Sequence, residues 1–146
     1  MKRSSIFIAM AVLALSACGT STNSANAPAL DLKLVQTYSS GSDMYYFAGP
    51  VNVQYALQVT NPTNQTFTLR QLNLQTQGPG AYSLRTGNSP MNATIPPGTT
   101  TVTMSAWGRA AGGFLRGNEP VNIHGTAYLR GPNGDFVKIF NEVLGQ

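Results

Sequence analysis

The chain has 146 residues, 42% of them apolar and only 10% charged; nine Lys and Arg against five Asp and Glu give a formal charge of +4. That composition excludes a disordered polyelectrolyte and suffices for one packed domain. The basic residues stand singly rather than in a cluster, which argues against a nucleic-acid-binding face, and a single cysteine excludes a disulfide within the chain.

In chain order the first element is a basic start, Lys2-Arg3, followed by an apolar run from Ile6 to Leu15 and the small residues Ser16 and Ala17 ahead of Cys18. A charged start, a short apolar run and small residues before a cut compose a secretory signal, and the run is too short for a bilayer-spanning helix. The four residues Leu15-Ser16-Ala17-Cys18 resemble the lipobox of bacterial lipoproteins. The resemblance implies that the Cys18 sulfur receives a diacylglycerol, that the chain is cut before Cys18, and that the freed amine is acylated. Each buried methylene contributes about 0.8 kcal/mol, so two or more acyl chains hold a protein firmly on a membrane. Gly19 stands where lipoproteins kept in an inner membrane commonly carry Asp, which implies an outer-membrane location facing the periplasm. Loss of residues 1–17 removes Lys2 and Arg3 and lowers the formal charge from +4 to +2.

Residues 18–29 are small and polar after the cysteine. Such a stretch buries too little apolar surface to order itself, so it is expected to act as a flexible tether with an r.m.s. span of roughly 17–20 Å. The domain proper is expected over residues 30–146.

From Leu30 onward the pattern is period-two alternation. Leu30, Leu32 and Leu34 alternate with Asp31 and Lys33, and Val51, Val53, Tyr55, Leu57 and Val59 alternate with Asn52, Gln54, Ala56 and Gln58. Both read as half-buried strands. Between Thr66 and Thr76 the apolar positions switch from odd (Phe67, Leu69) to even (Leu72, Leu74). A one-residue slip would expose half of them, so a β-bulge is expected at Arg70-Gln71. Further strands are expected around Tyr82 and Leu84, from Met91 to Ile95, through Val102, Met104 and Ala106, through Val121 to Leu129, and from Phe136 to Phe140.

The clusters Asn61-Pro62-Thr63-Asn64, Gly78-Pro79-Gly80, Pro96-Pro97-Gly98 and Gly131-Pro132-Asn133-Gly134 read as the turns between strands. Apart from the signal, only Gly108–Phe114 leaves room for a helical turn. Seven or eight strands at this spacing predict an all-β Greek-key sandwich of the immunoglobulin or fibronectin type III kind, with an up-and-down barrel as the alternative.

The run Leu57-Gln58-Val59-Thr60-Asn61-Pro62-Thr63-Asn64, followed by Leu69, Leu72 and Leu74, resembles the core of the LEA14 or water-stress (WHy) domain family, as does Ile95-Pro96-Pro97-Gly98-Thr99 before an alternating strand. The resemblance covers Leu30 to Ala106. It implies a fibronectin-like sandwich with a protective or binding role and no catalytic residues to carry over.

Residue chemistry leads to the same expectation. The one histidine, His124, sits in an alternating strand on the face opposite Ile123 and Gly125 and is expected to face solvent; no Gly-x-Ser-x-Gly elbow accompanies it. The acids Asp31, Asp43, Glu119, Asp135 and Glu142 are isolated in sequence. Gly112–Gly117 lacks the Gly-Lys-Ser/Thr ending of a phosphate loop. No enzyme, no cofactor and no metal site is expected.

In an immunoglobulin-like order the short turns at Asn61, Pro96 and Gly131 share the tethered end, and two longer connections, Tyr38–Pro50 and Gly108–Pro120, meet at the other. Around them fall Tyr45, Tyr46, Phe47, Trp107, Arg109, Phe114 and Arg116. Aromatic and arginine side chains concentrate binding energy at interfaces, so these seven are the candidate partner-binding residues, the partner being an envelope protein. Their alternative role is to cap the core.

Overall fold

The structure is a computed structural model and describes residues 27–40, 48–85, 87–111 and 119–145. Cys18, Tyr45, Tyr46, Phe47, Phe114 and Arg116, with the signal and most of the tether, lie outside the described residues.

Eight strands follow one another: β1 (Asp31–Ser39), β2 (Pro50–Asn61), β3 (Phe67–Thr76), β4 (Tyr82–Leu84), β5 (Gly87–Ile95), β6 (Gly98–Ala110), β7 (Val121–Gly131) and β8 (Gly134–Leu144). Two antiparallel sheets form, in the orders β1-β2-β6-β4 and β5-β3-β7-β8. They pack face to face as a β-sandwich. In immunoglobulin lettering β1, β2, β6 and β4 take the A, B, E and D places, while β3, β7 and β8 take C, F and G. β5 pairs on the free side of β3. Because β4 falls between β3 and β5, the chain leaves the second sheet for the edge of the first and then returns to the second.

The alternation read in β2 becomes the core. Val51, Val53, Tyr55, Leu57 and Val59 are all at most 1% exposed, facing Phe67, Leu69, Leu72, Leu74, Ile123, Ala127 and Leu129 of the second sheet. The expected bulge is present: Leu69 pairs with Leu129 and Gln71 with Tyr128, so Arg70 is the extra residue. It lets Leu69 and Leu72 both point inward. A second register shift, between Gln36 and Tyr38 in β1, has no signature in the apolar pattern. It turns Tyr38 outward and buries Ser39.

Several strands run beyond the sequence reading, β5 from Gly87 and β8 from Gly134 to Leu144 among them, and two of these extensions bear on the candidate site. β1 continues to Ser39, so Tyr38 belongs to a strand rather than to the first long connection. β6 continues through Gly108 to Ala110, where a helical turn had room to form. The reason is pairing on both sides: Val51 stands opposite Gly108 on one side and Leu84 on the other. A Cβ on residue 108 would come within 2.7 Å of the Ser83 carbonyl oxygen, so glycine permits β4 to lie against β6 there. Gly125 serves the core in a similar way. It pairs with Phe140, whose ring occupies the space a side chain would take, 2.1 Å from an added Cβ.

At the end where β1 begins, Asn61 ends β2 at the turn that carries the chain from the first sheet to β3 in the second. It is 1% exposed. Its Oδ1 accepts from the Thr63 N–H (3.1 Å) and the Thr63 hydroxyl (2.7 Å), forming an Asx-type turn. Its Nδ2 donates to the carbonyls of Gln65 (2.7 Å) and of Ile95 in the opposite sheet (3.3 Å). Replacing Asn61 by Ala leaves buried donors and acceptors unmatched, and is expected to lower unfolding stability by about 2 kcal/mol in a urea titration. Asn61→Asp keeps the Oδ1 bonds and loses only those to the two carbonyls.

Inside the sandwich a polar chain crosses the core. Tyr55 donates to the Tyr82 hydroxyl (2.8 Å), which donates to Gln36 Oε1 (2.5 Å). Burial, reinforced by the neighbouring Tyr82, pushes the Tyr55 hydroxyl far above its ordinary value, and burial also raises Tyr82. In the unfolded chain both release their protons near pH 10. The fold therefore holds more protons than the unfolded chain above that pH. Stability is expected to be level through neutral pH and to fall as the pH rises past about 10. Tyr55→Phe makes that fall shallower in denaturation curves recorded from neutral to alkaline pH.

Candidate functional site

Strand alternation places Trp107 and Arg109 of β6 on the outer face of the first sheet. Trp107 is opposite Asn52 and Arg109 opposite Pro50 on β2, while Ser83 of β4 flanks Arg109 on the other side. The Arg85 N–H donates to the Trp107 carbonyl (3.3 Å), which brings a second arginine alongside the tryptophan. Arg85, Trp107 and Arg109, together with Gly49 and Pro50, line an open cleft of about 510 Å³. Trp107 also borders a smaller opening of about 240 Å³. It is shared with Arg85 and floored by Leu74, Ser89, Met104 and Ala106.

Trp107 is 63% exposed, so the core does not claim it. Among the described residues no carboxylate pairs with Arg85 or Arg109; the ion pair there is Arg130 with Asp135, a two-point contact (2.6 and 3.1 Å) across the β7–β8 turn. The guanidinium of Arg130 beside it holds Asp135 below the usual carboxylate range. Among the described residues the site thus presents an aromatic face beside two cationic side chains that no carboxylate neutralises.

Trp107 and Arg109 are the two sequence candidates that fall within the described residues, and they stand two positions apart on one strand face. Arg85 was missed. Its position depends on the chain crossing to the edge of the first sheet through a three-residue strand, which local periodicity does not encode. The expectation about chain ends holds for the described residues. Asp31, Asn61, Gly98 and the Gly131–Gly134 turn share one end through the pairs Asp31–Thr60, Asn61–Gly98 and Thr68–Arg130, with Gly131 close against the Phe67 ring. Ser40, bonded to Asn52, and Ala110, bonded to Gly49, share the other.

His124 is half-buried on the outer face of β7. Its Nδ1 lies 2.8 Å from Asn141 Oδ1, an amide oxygen that accepts the ring proton. No three His, Cys, Asp or Glu side chains converge among the described residues. No helix among them is long and apolar enough to cross a membrane.

No family model matches the chain, and no curated protein does. Solved structures do resemble it. A protein from Archaeoglobus fulgidus superposes with a TM-score of 0.51 at 12% identity, over 77% of this chain and 91% of that one. A Bordetella pertussis protein assigned the name ApaA gives 0.54 at 13% identity, over 80% and 93%. The structural genomics target SoR45 gives 0.50 at 16% identity, over 80% and 85%. At these identities the likeness is one of fold.

Because Trp107 and Arg109 project from the sheet, Trp107→Ala and Arg109→Ala are expected to change stability by no more than about 0.5 kcal/mol. Trp107 is the sole tryptophan. Fluorescence of the native protein should therefore show red-shifted emission that iodide quenches readily; blue emission resistant to iodide would mean that the ring is covered.

Proposed function

We propose that this domain is a non-catalytic protein-binding module of the bacterial cell envelope, carried on a lipid anchor at Cys18 in the outer membrane, and that it recognises its partner through the Arg85–Trp107–Arg109 end of the first sheet. The observation that carries this reading is the exposed tryptophan beside two arginines that no carboxylate pairs among the described residues. Tryptophan and arginine combine large contact area with directional hydrogen bonds, and dominate binding energy where they cluster. The two cations favour an acidic partner surface and steer its approach.

Position supports the same reading. The cleft lies at the end of the sandwich opposite Asp31, where the chain enters. A domain tethered ahead of Asp31 offers this end away from the surface that holds it. The remaining candidates, Tyr45, Tyr46, Phe47, Phe114 and Arg116, belong to segments whose described flanks, Ser40 and Ala48 on one and Ala111 and Pro120 on the other, reach this same end.

The test is crosslinking of the full-length anchored chain, mild detergent extraction and mass spectrometry of what accompanies it. A partner at fixed ratio is expected. It should be lost in Arg85→Ala, Trp107→Ala and Arg109→Ala and kept in Lys33→Ala, which lies at the far edge of the same sheet. Absence of any fixed-ratio partner would overturn the reading in favour of the protective role that the WHy resemblance implies.

A further inference from the structure

The edge strands of the sandwich are not equally defended. β1 carries Asp31, Lys33 and a bulge. β5 carries Pro90 and an irregular register. β8 carries Asp135, Lys138 and Glu142, and β4 is only three residues long. Charges, proline, bulges and short length are the devices by which sheet edges avoid further pairing. β6 has none of them from Gly98 to Trp107. It pairs with β2 without a register break, while β4 covers only Gly108 to Ala110 on its other side.

The backbone there is aimed outward. Ala110 N–H bonds toward β2, at Gly49, whereas the Trp107 carbonyl and the Ala111 N–H bond toward the β4 side. Because the direction alternates along a strand, Thr99, Thr101, Thr103 and Ser105 turn their N–H and C=O groups to the uncovered edge. Beneath this edge the inward side chains Val102, Met104 and Ala106 remain only partly buried, unlike their neighbours on β2. The 240 Å³ opening floored by Leu74, Met104 and Ala106 lies there.

We propose that the β6 edge from Thr99 to Ser105 accepts an extended segment of the partner protein as an added strand, antiparallel to β6, with an acidic residue at its leading end beside Arg85 and apolar residues at alternate positions after it. The strand continues what β4 begins. β4 is antiparallel on the same edge, and its Tyr82 and Leu84 already pack inward on the core. Main-chain bonds supply affinity, and the opening between the sheets selects the alternate side chains. A second copy fits less well: β6 has no acidic residue, so self-pairing through it offers the arginines nothing. This inference rests on the binding-module reading and assigns the partner's conformation.

The test is backbone amide hydrogen exchange on the folded chain with a short synthetic peptide, Asp followed by alternating Val and Thr, N-methylated at alternate amides so that it cannot pair with itself. At roughly ten times its dissociation constant the peptide should slow exchange at Thr101, Thr103 and Ser105 by about tenfold. Val102 and Met104, already bonded to β2, and the β1 edge should not change. Thr103→Pro, and separately Thr103→Lys, should abolish the effect while the native fold is retained. Unchanged exchange at the odd positions, equal protection of β1, or full protection in both variants overturns the proposal. Protection that rises with protein concentration without peptide also overturns it, since the occupant is then a second copy. Should Trp107→Ala lose the cellular partner while Thr103→Pro and Thr103→Lys keep it, strand addition fails and the binding module stands. Absence of any cellular partner removes the module itself.

Discussion

Twelve consecutive residues of β2 pair with β6 without a register break, Pro50 opposite Arg109 at one end and Asn61 opposite Gly98 at the other. Because side chains alternate across a strand, this one ladder decides two faces at once. It sends Val51, Val53, Tyr55, Leu57 and Val59 into the core and, on β6, turns Trp107 and Arg109 out. A slip of one residue on β6 would bury Arg109, and one on β2 would expose the valines. Register is therefore held by the cost of that exchange, about 25 cal/mol for each Å² of apolar surface returned to water. The outer surface that carries Trp107 and Arg109 inherits its geometry from the core.

Around that straight ladder, irregularity is confined to other strands. Arg70 in β3 is an extra residue against β7, and Thr37 an extra one in β1 against β2. Bulges increase local twist, and here they let the second sheet and the outer strand curve while β2 and β6 stay regular. The polar bonds inside the sandwich are placed where they join elements rather than fill space. Tyr55, Tyr82 and Gln36 connect β2, β4 and β1. Asn61 links β2 to the carbonyl of Ile95 across the sheets. Among the described residues no buried side-chain donor or acceptor is left without a partner, so these groups add specificity without leaving an uncompensated desolvation cost.

Much of this architecture was legible in the residues. The β2 alternation, the parity switch between Leu69 and Leu72, and the four Pro/Gly/Asn turn clusters each have a local physical meaning, and each appears where the pattern put it. The β1 shift did not, since Gln36, Thr37 and Tyr38 are polar or amphipathic and leave no parity to break. β6 was read from its apolar centre alone, and its reach to Ala110 follows from pairing with residues far away in sequence. The same distinction governs the candidate site. Trp107 and Arg109 announce themselves by residue type, whereas Arg85 is ordinary in sequence and becomes notable only because β4 carries it to the edge of the first sheet.

The uneven treatment of the edges deserves a physical explanation beyond sheet-building. A chain with 10% charged residues has few with which to block edges, yet β8 alone holds three and β1 two, while β6 keeps none over the ten residues from Gly98 to Trp107. The residues used there instead are Thr and Ser on the outer face and Val, Met and Ala within, which favour extended pairing and carry no repulsion. Scarcity would thin protection everywhere; it would not strip one exposed edge and leave the edges at β1 and β8 defended. Nor does core packing require it, because Val102, Met104 and Ala106 gain burial only if something covers that edge. An uncovered, uncharged edge is an aggregation hazard in a free protein. Its persistence beside a tryptophan and two arginines is what the proposed strand addition accounts for, since occupancy would remove the hazard.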